Sequence, residues 1–165
     1  MDIKECDLPE TALHAYHLSE PITYTDCFTC DVKRDVDLQS FISAFYTTGI
    51  FKSERLVLRL LARAPSNDAD VLALASGACT TLAVWKVEAR AKDQIVLDAG
   101  RTKSWLHVAP SDTGTRLFFG SVVVPEPAKN GRPPRMGPVF ETLLTPHKLY
   151  SRLLLAAAAR RLASA

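Results

Sequence analysis

Long apolar runs, a dominant charge and clustered metal ligands are all missing from this chain, and each absence closes a class of function. The longest apolar stretch, Leu153 to Ala159, is stopped by Arg160-Arg161. About 20 such residues are needed to cross a bilayer, so no stable membrane insertion is expected. Basic side chains number 20 against 18 acidic ones, a formal charge of +2. That balance cannot neutralise a phosphate backbone, and nucleic acid is not expected as a partner. His14, His17, His107 and His147 show neither H-E-x-x-H nor another ligand spacing, so no metal is expected. The glycines form neither a G-x-G-x-x-G nor a Walker pattern, and no cofactor is expected either. The charged opening Met1 to Pro9 lacks the apolar segment of a signal peptide. Four cysteines are few for this length and suit a reducing compartment, so the expected location is cytoplasmic.

What remains is ordinary globular material: 165 residues, 47% apolar and 23% charged. This is enough chain to bury one core, and residues 1–165 read as a single domain with a lead-in over 1–21. Ile22 to Lys33 is rich in β-branched and aromatic residues and predicts a strand. Within it, Cys27-Phe28-Thr29-Cys30 matches C-x-x-C. Positions i and i+3 of a strand point to opposite faces, so these sulfurs should diverge rather than form a redox or zinc pair.

Asp35 or Asp37 can cap a helix whose apolar residues Leu38, Phe41, Ile42 and Phe45 follow the i, i+3, i+4, i+7 pattern, with Gly49 ending it. A second helix is predicted from Ser53 through Arg63, and a further short one from Asp68 to Ser76 before Gly77. The texture then turns to strands over 79–88, 94–99, 103–109 and 115–124, separated by short turn-type segments. Pro125 to Gly137 is a proline-rich loop, and Met136 to Ala165 reads as one long amphipathic helix. That helix carries more apolar surface than an exposed face leaves in water, and the strands just upstream are the element large enough to cover it. The expected fold class is therefore α+β: a helix-grip fold with an antiparallel curved sheet wrapped around a long C-terminal helix, and two short helices after the first strand.

Certain segments carry a likeness to known proteins: Tyr24-Thr25-Asp26-Cys27-Phe28, Val84-Trp85-Lys86-Val87-Glu88, Ile95-Val96-Leu97-Asp98, Thr115-Arg116-Leu117-Phe118-Phe119, and Pro146-His147-Lys148-Leu149 with Leu153-Leu154 and Arg160-Arg161. Together they resemble the START-like (SRPBCC) helix-grip superfamily of lipid-transfer, polyketide-cyclase and aromatase-like proteins. The chain is most similar to an uncharacterised family within or beside it, whose members occur alone or fused behind epimerase-like Rossmann domains. The loop with Pro133-Pro134 is longer and richer in proline than that family's pattern. The resemblance implies a hydrophobic cavity between sheet and C-terminal helix that takes a small apolar, aromatic or lipid-like molecule. It does not imply catalysis.

Candidate ligand-binding residues are Trp85, Trp105, His107, Phe119, His147 and Tyr150. The tryptophans, Phe119 and Tyr150 offer pocket wall, while the two histidines offer polar anchors. Trp105 and His107 share one strand face with Lys103, and which sheet face that is stays open. His147 follows Pro146, which either starts a fresh helix or interrupts a continuous one. Its plain alternative is a histidine bonded to sheet backbone or to Asp26 for packing. Two other functions compete: a cyclase, hydratase or isomerase with His147 or His107 as acid/base and Asp26 or Asp98 as orienter, and a homodimeric interaction module. No Gly-flanked nucleophile turn for a Ser-His-Asp site is legible. The basic edge of Lys148, Arg152, Arg160 and Arg161 reads as a solvated helix face.

Overall fold

The computed structural model describes residues 2–15, 23–53, 55, 64–125, 136 and 138–164, with side chains of the last helix described from Leu144 onward. In chain order the elements are β1 (Lys4–Glu5), β2 (Tyr24–Val32), α1 (Leu38–Tyr46), α2 (Asp68–Ser76), β3 (Thr81–Leu82), β4 (Trp85–Arg90), β5 (Gln94–Asp98), β6 (Thr102–Ser111), β7 (Gly114–Val123) and α3 (Pro138–Ser164). The strands form one antiparallel, curved seven-stranded sheet in the order β1-β2-β7-β6-β5-β4-β3. Short helices follow β2 and a long helix closes the chain, which is the α+β helix-grip arrangement that the element order predicts. Both outermost strands span two residues, so each pairs only a short part of its neighbour.

Local chemistry accounts for most boundaries. Asp37 caps α1 by accepting from the Ser40 N–H at 2.7 Å. Asn67 and Asp70 form a reciprocal capping box at the start of α2, and Gly77 ends that helix in the left-handed conformation at φ 82°.

Three expectations need correction. α1 spans Leu38–Tyr46, the stretch its apolar spacing marks, but Thr47 rather than Gly49 caps its end, and the Thr47 and Thr48 hydroxyls donate to the carbonyls of Ser43 and Phe45. Residues 49–53 are already helical, ahead of the predicted start at Ser53; of the rest of that helix only Arg55 lies within the described residues. The single strand expected over 79–88 is a hairpin: Leu82 pairs with Trp85 across a two-residue turn, and Ala83 takes the positive φ (53°) that such a turn requires.

The pleat divides the sheet into two unlike faces. On one, Phe28, Ile95, Leu97, Leu106, Leu117 and Phe119 meet Phe41, Ile42 and Phe45 of α1 and Leu154, Leu155, Ala158 and Ala159 of α3 in the main core. α3 packs chiefly on α1 and β2, with a smaller contact to β7, so it crosses one side of the sheet rather than its middle. Arg34 donates to the Leu162 carbonyl at 2.8 Å and Lys148 pairs with Glu5 at 2.7 Å, tying α3 down near its C-terminal end and closer to its middle.

The other face is covered by the N-terminal lead-in, where Ala12, Cys27, Val96 and Trp105 form a second buried cluster. Gly120 pairs with Trp105 across the β6–β7 ladder, and a Cβ there would meet the indole at 3.1 Å. The missing side chain makes room for the ring. Among the described residues no helix is long and apolar enough to cross a membrane.

Candidate functional site

On the helix side of β2, Tyr24 and Asp26 lie two residues apart and so share a face. The β2–β7 register places Ser121 directly opposite Asp26. α3 runs without interruption through Pro146, so His147 sits well inside the helix rather than in a first turn. It reaches down onto this pair.

Asp26, 5% exposed, accepts at Oδ1 from the Ser121 hydroxyl at 2.5 Å and from the Ser121 backbone N–H at 3.1 Å. Its Oδ2 accepts from the Tyr24 hydroxyl at 3.0 Å and lies 3.4 Å from His147 Nε2. The same Nε2 is 2.8 Å from Ser121 Oγ. Burial alone pushes the Asp26 carboxyl up. The hydrogen bonds from His147, Ser121 and Tyr24 and the charge of His147 outweigh it and hold the group below the usual carboxylate range. Burial beside that carboxylate raises the Tyr24 phenol.

The proton positions follow. An ionised carboxylate only accepts, so the Ser121 hydrogen points at Asp26 and the serine oxygen accepts from His147 Nε2–H. Asp26 and Ser121 thus share one ring nitrogen, whereas a nucleophilic triad puts the carboxylate and the hydroxyl on opposite nitrogens with the imidazole accepting from the serine. Ser121 also lies within a regular strand, not on a strained turn. The group holds an imidazole in a fixed orientation, with Nδ1 as the ring atom left for proton exchange. The His147 side chain keeps 26% of its surface exposed, so it is held but not sealed.

The other predicted residues divide between the faces. Phe119 is buried in the main core against Phe45, ring centres 4.8 Å apart, and Tyr150 packs at its edge one helical turn beyond His147. Trp85 belongs to the same core but lies across the sheet on β4, tilted against Phe51 with ring centres 5.2 Å apart. Trp105 and His107 sit on the opposite face. Trp105 is fully buried and donates its indole N–H to Gln94 at 2.9 Å. His107 stacks against both Trp105 and Phe118, which also touch each other, with Nδ1 3.1 Å from the Asp93 carbonyl. Asp98 pairs with Lys103 at 3.5 Å and touches neither histidine in this way.

So the structure brings together Asp26 and His147, with Phe119 and Tyr150 nearby, and separates Trp105 and His107 from them. Ser121 and Tyr24 were missed by sequence reasoning. The i, i+2 spacing from Asp26 pointed at Tyr24, but nothing short of the strand register points at Ser121.

Three cavities bounded by described residues lie elsewhere and are lined by none of His147, Ser121, Phe119 or Tyr150. One of about 810 Å³ opens between the start of α1 and the β6–β7 turn, beside Lys92 and Asp93. A second, about 450 Å³, is lined by Glu5, Cys6, Asp7, Leu8, Thr25, Asp26 and Cys27 and lies at the β1–β2 edge. A third, about 420 Å³, lies by Arg34, Leu72 and Arg161. The proline-rich stretch 126–135 falls outside the described residues. Among the described residues no three His, Cys, Asp or Glu side chains converge as a metal ion would need. No protein family, curated protein or solved structure matches this chain.

Proposed function

We propose that this is a START-like helix-grip protein of the cytoplasm that binds a small apolar, aromatic or lipid-like molecule where α3 crosses β2 and β7, with His147 as its polar contact. One observation carries the reading: a buried carboxylate, satisfied by three neighbouring side chains, orients an imidazole that still has a quarter of its surface open. Burying a charge in this way costs stability unless it is fully paired, and a plain apolar contact would close the same gap more cheaply. A fixed polar group beside Phe119 and Tyr150 suits a ligand with an apolar body and one hydrogen-bonding end.

Native mass spectrometry and thermal shift against fatty acids, phospholipids and polycyclic aromatics test this reading. The expected result is a retained ligand that raises the melting temperature, bound about tenfold more weakly by His147→Ala, the loss of roughly 1.4 kcal/mol. No retained compound and no shift across the panel would sink it.

A proton-transfer enzyme of the cyclase, hydratase or isomerase type is the second reading, favoured by the Asp26–His147 contact. There His147 Nδ1 moves the proton while Asp26 and Ser121 hold the ring. His147→Gln would then bind ligand but abolish turnover, whereas Ser121→Ala would keep most of it.

A further inference from the structure

Cys6 and Cys27 face each other across the β1–β2 ladder. The register that pairs Lys4 with Thr29 and Glu5 with Phe28 continues to this pair, and the Cys6 N–H donates to the Cys27 carbonyl at 3.0 Å. Residues directly opposite on antiparallel strands have Cα atoms about 4.5–5.5 Å apart, inside the roughly 4.4–6.8 Å that a disulfide spans. The sulfurs are 3.2 Å apart and both thiols are free. Closing the bond needs side-chain rotation and no backbone movement.

Their surroundings differ. Cys27 is buried in the outer cluster, whereas Cys6 is half-buried and opens with it onto the cavity of about 450 Å³. The hydrogen bond between the two sulfurs holds the Cys6 thiol below its ordinary range, while the same bond and burial push Cys27 up. Of the two, Cys6 is both the more accessible and the more readily ionised, so it is the sulfur that attacks first. The cavity's charged lining side chains next to Cys6, Glu5 and Asp7, are both acidic. They disfavour an anionic oxidant.

We propose that Cys6 and Cys27 form a redox-active dithiol that reduces small uncharged hydroperoxides and closes reversibly to an intrachain disulfide. The Cys6 thiolate attacks the terminal peroxide oxygen, breaking the O–O bond, and leaves as a sulfenic acid while the departing alkoxide or hydroxide takes up a proton. The Cys27 sulfur then attacks the Cys6 sulfur, forming the S–S bond. Its thiol proton and the sulfenic hydroxyl leave as water. Two thiols are oxidised by two electrons and one peroxide is reduced. The new bond pins β1, and the lead-in that follows Cys6, onto the face carrying Trp105. This pair lies on the sheet face opposite His147 and does not depend on what binds there.

The test is hydrogen peroxide treatment of the whole purified chain, followed by alkylation, digestion and peptide mapping. The expected product is a linked Cys6–Cys27 peptide, with the intact mass lowered by two hydrogen atoms and restored by dithiothreitol. Cys6→Ser should give no such link, and Cys27→Ser should let dimedone trap a sulfenic acid on Cys6. Wild-type protein whose Cys6 and Cys27 are still alkylated as thiols after treatment, or whose Cys6 is linked to Cys30, Cys79 or a second chain, would overturn the proposal. Glutathione disulfide should close the bond more slowly than peroxide at equal concentration; equal rates would overturn the assignment to uncharged reactants.

Discussion

His147 Nε2 lies 3.4 Å from Asp26 Oδ2, joining the last helix to the first long strand through a buried carboxylate. The contact gives the fold a dependence on acid. Because the folded state holds Asp26 below the usual carboxylate range, its contribution is fully present above the unfolded value of about 4 and is lost as pH falls through the lower folded value. Exposed Asp31, Asp37 and Asp68 are held down by their own partners, so the measurement must be a difference. Asp26→Asn is expected to lose on the order of 2–4 kcal/mol at neutral pH. The loss should shrink as pH drops below about 4, read by urea unfolding at a series of pH values. A gap that stays constant down to the acid limit would show that Asp26 is not ionised in the fold.

Gln94 ties the lead-in to the sheet. Its Oε1 accepts from Trp105 Nε1 at 2.9 Å and from the Leu13 N–H at 3.1 Å, and its Nε2 donates to the Thr11 carbonyl at 3.2 Å. Gln94→Leu keeps the volume but strands the indole and two backbone groups. A cost of about 2–3 kcal/mol is expected, with faster amide exchange over residues 11–15. Unchanged exchange there would mean that packing alone holds the lead-in.

Gly114 stands where the β6–β7 turn meets the segment after β2. Its φ is 144°, and a Cβ would come within 2.5 Å of both Arg34 N and the Val32 carbonyl. Gly114→Ala is expected to destabilise by about 3 kcal/mol or more, since backbone rather than a movable side chain blocks the space. Calorimetry showing a loss below about 1 kcal/mol would mean the turn shifts freely.

Much of the architecture follows from local pattern. The 3.6-residue spacing of Leu38, Phe41, Ile42 and Phe45 is the buried face of α1, and Asp37 and Gly77 are the caps their chemistry suits them to be. Strand parity separates the two residues of the C-x-x-C: Cys27 joins the outer cluster and Cys30 the main core. Parity also groups Trp105 with His107. It leaves open which face they occupy, because a strand reads the same whichever side is covered by helices. The lead-in shows this most clearly. Its polar, proline-punctuated residues carry no strong period, yet Leu8, Ala12 and Leu13 bury against Trp105 once the sheet exists to receive them.

Residue spacing by itself therefore determined the elements, their caps and the sharing of faces, since each depends on backbone geometry over a few positions. The tertiary structure alone decided that Ser121 sits opposite Asp26, that α3 lowers His147 onto both, and that Cys6 meets Cys27. Those meetings join residues far apart in the chain through strand register and helix placement, which are set by the burial of the whole core and not by any neighbouring sequence.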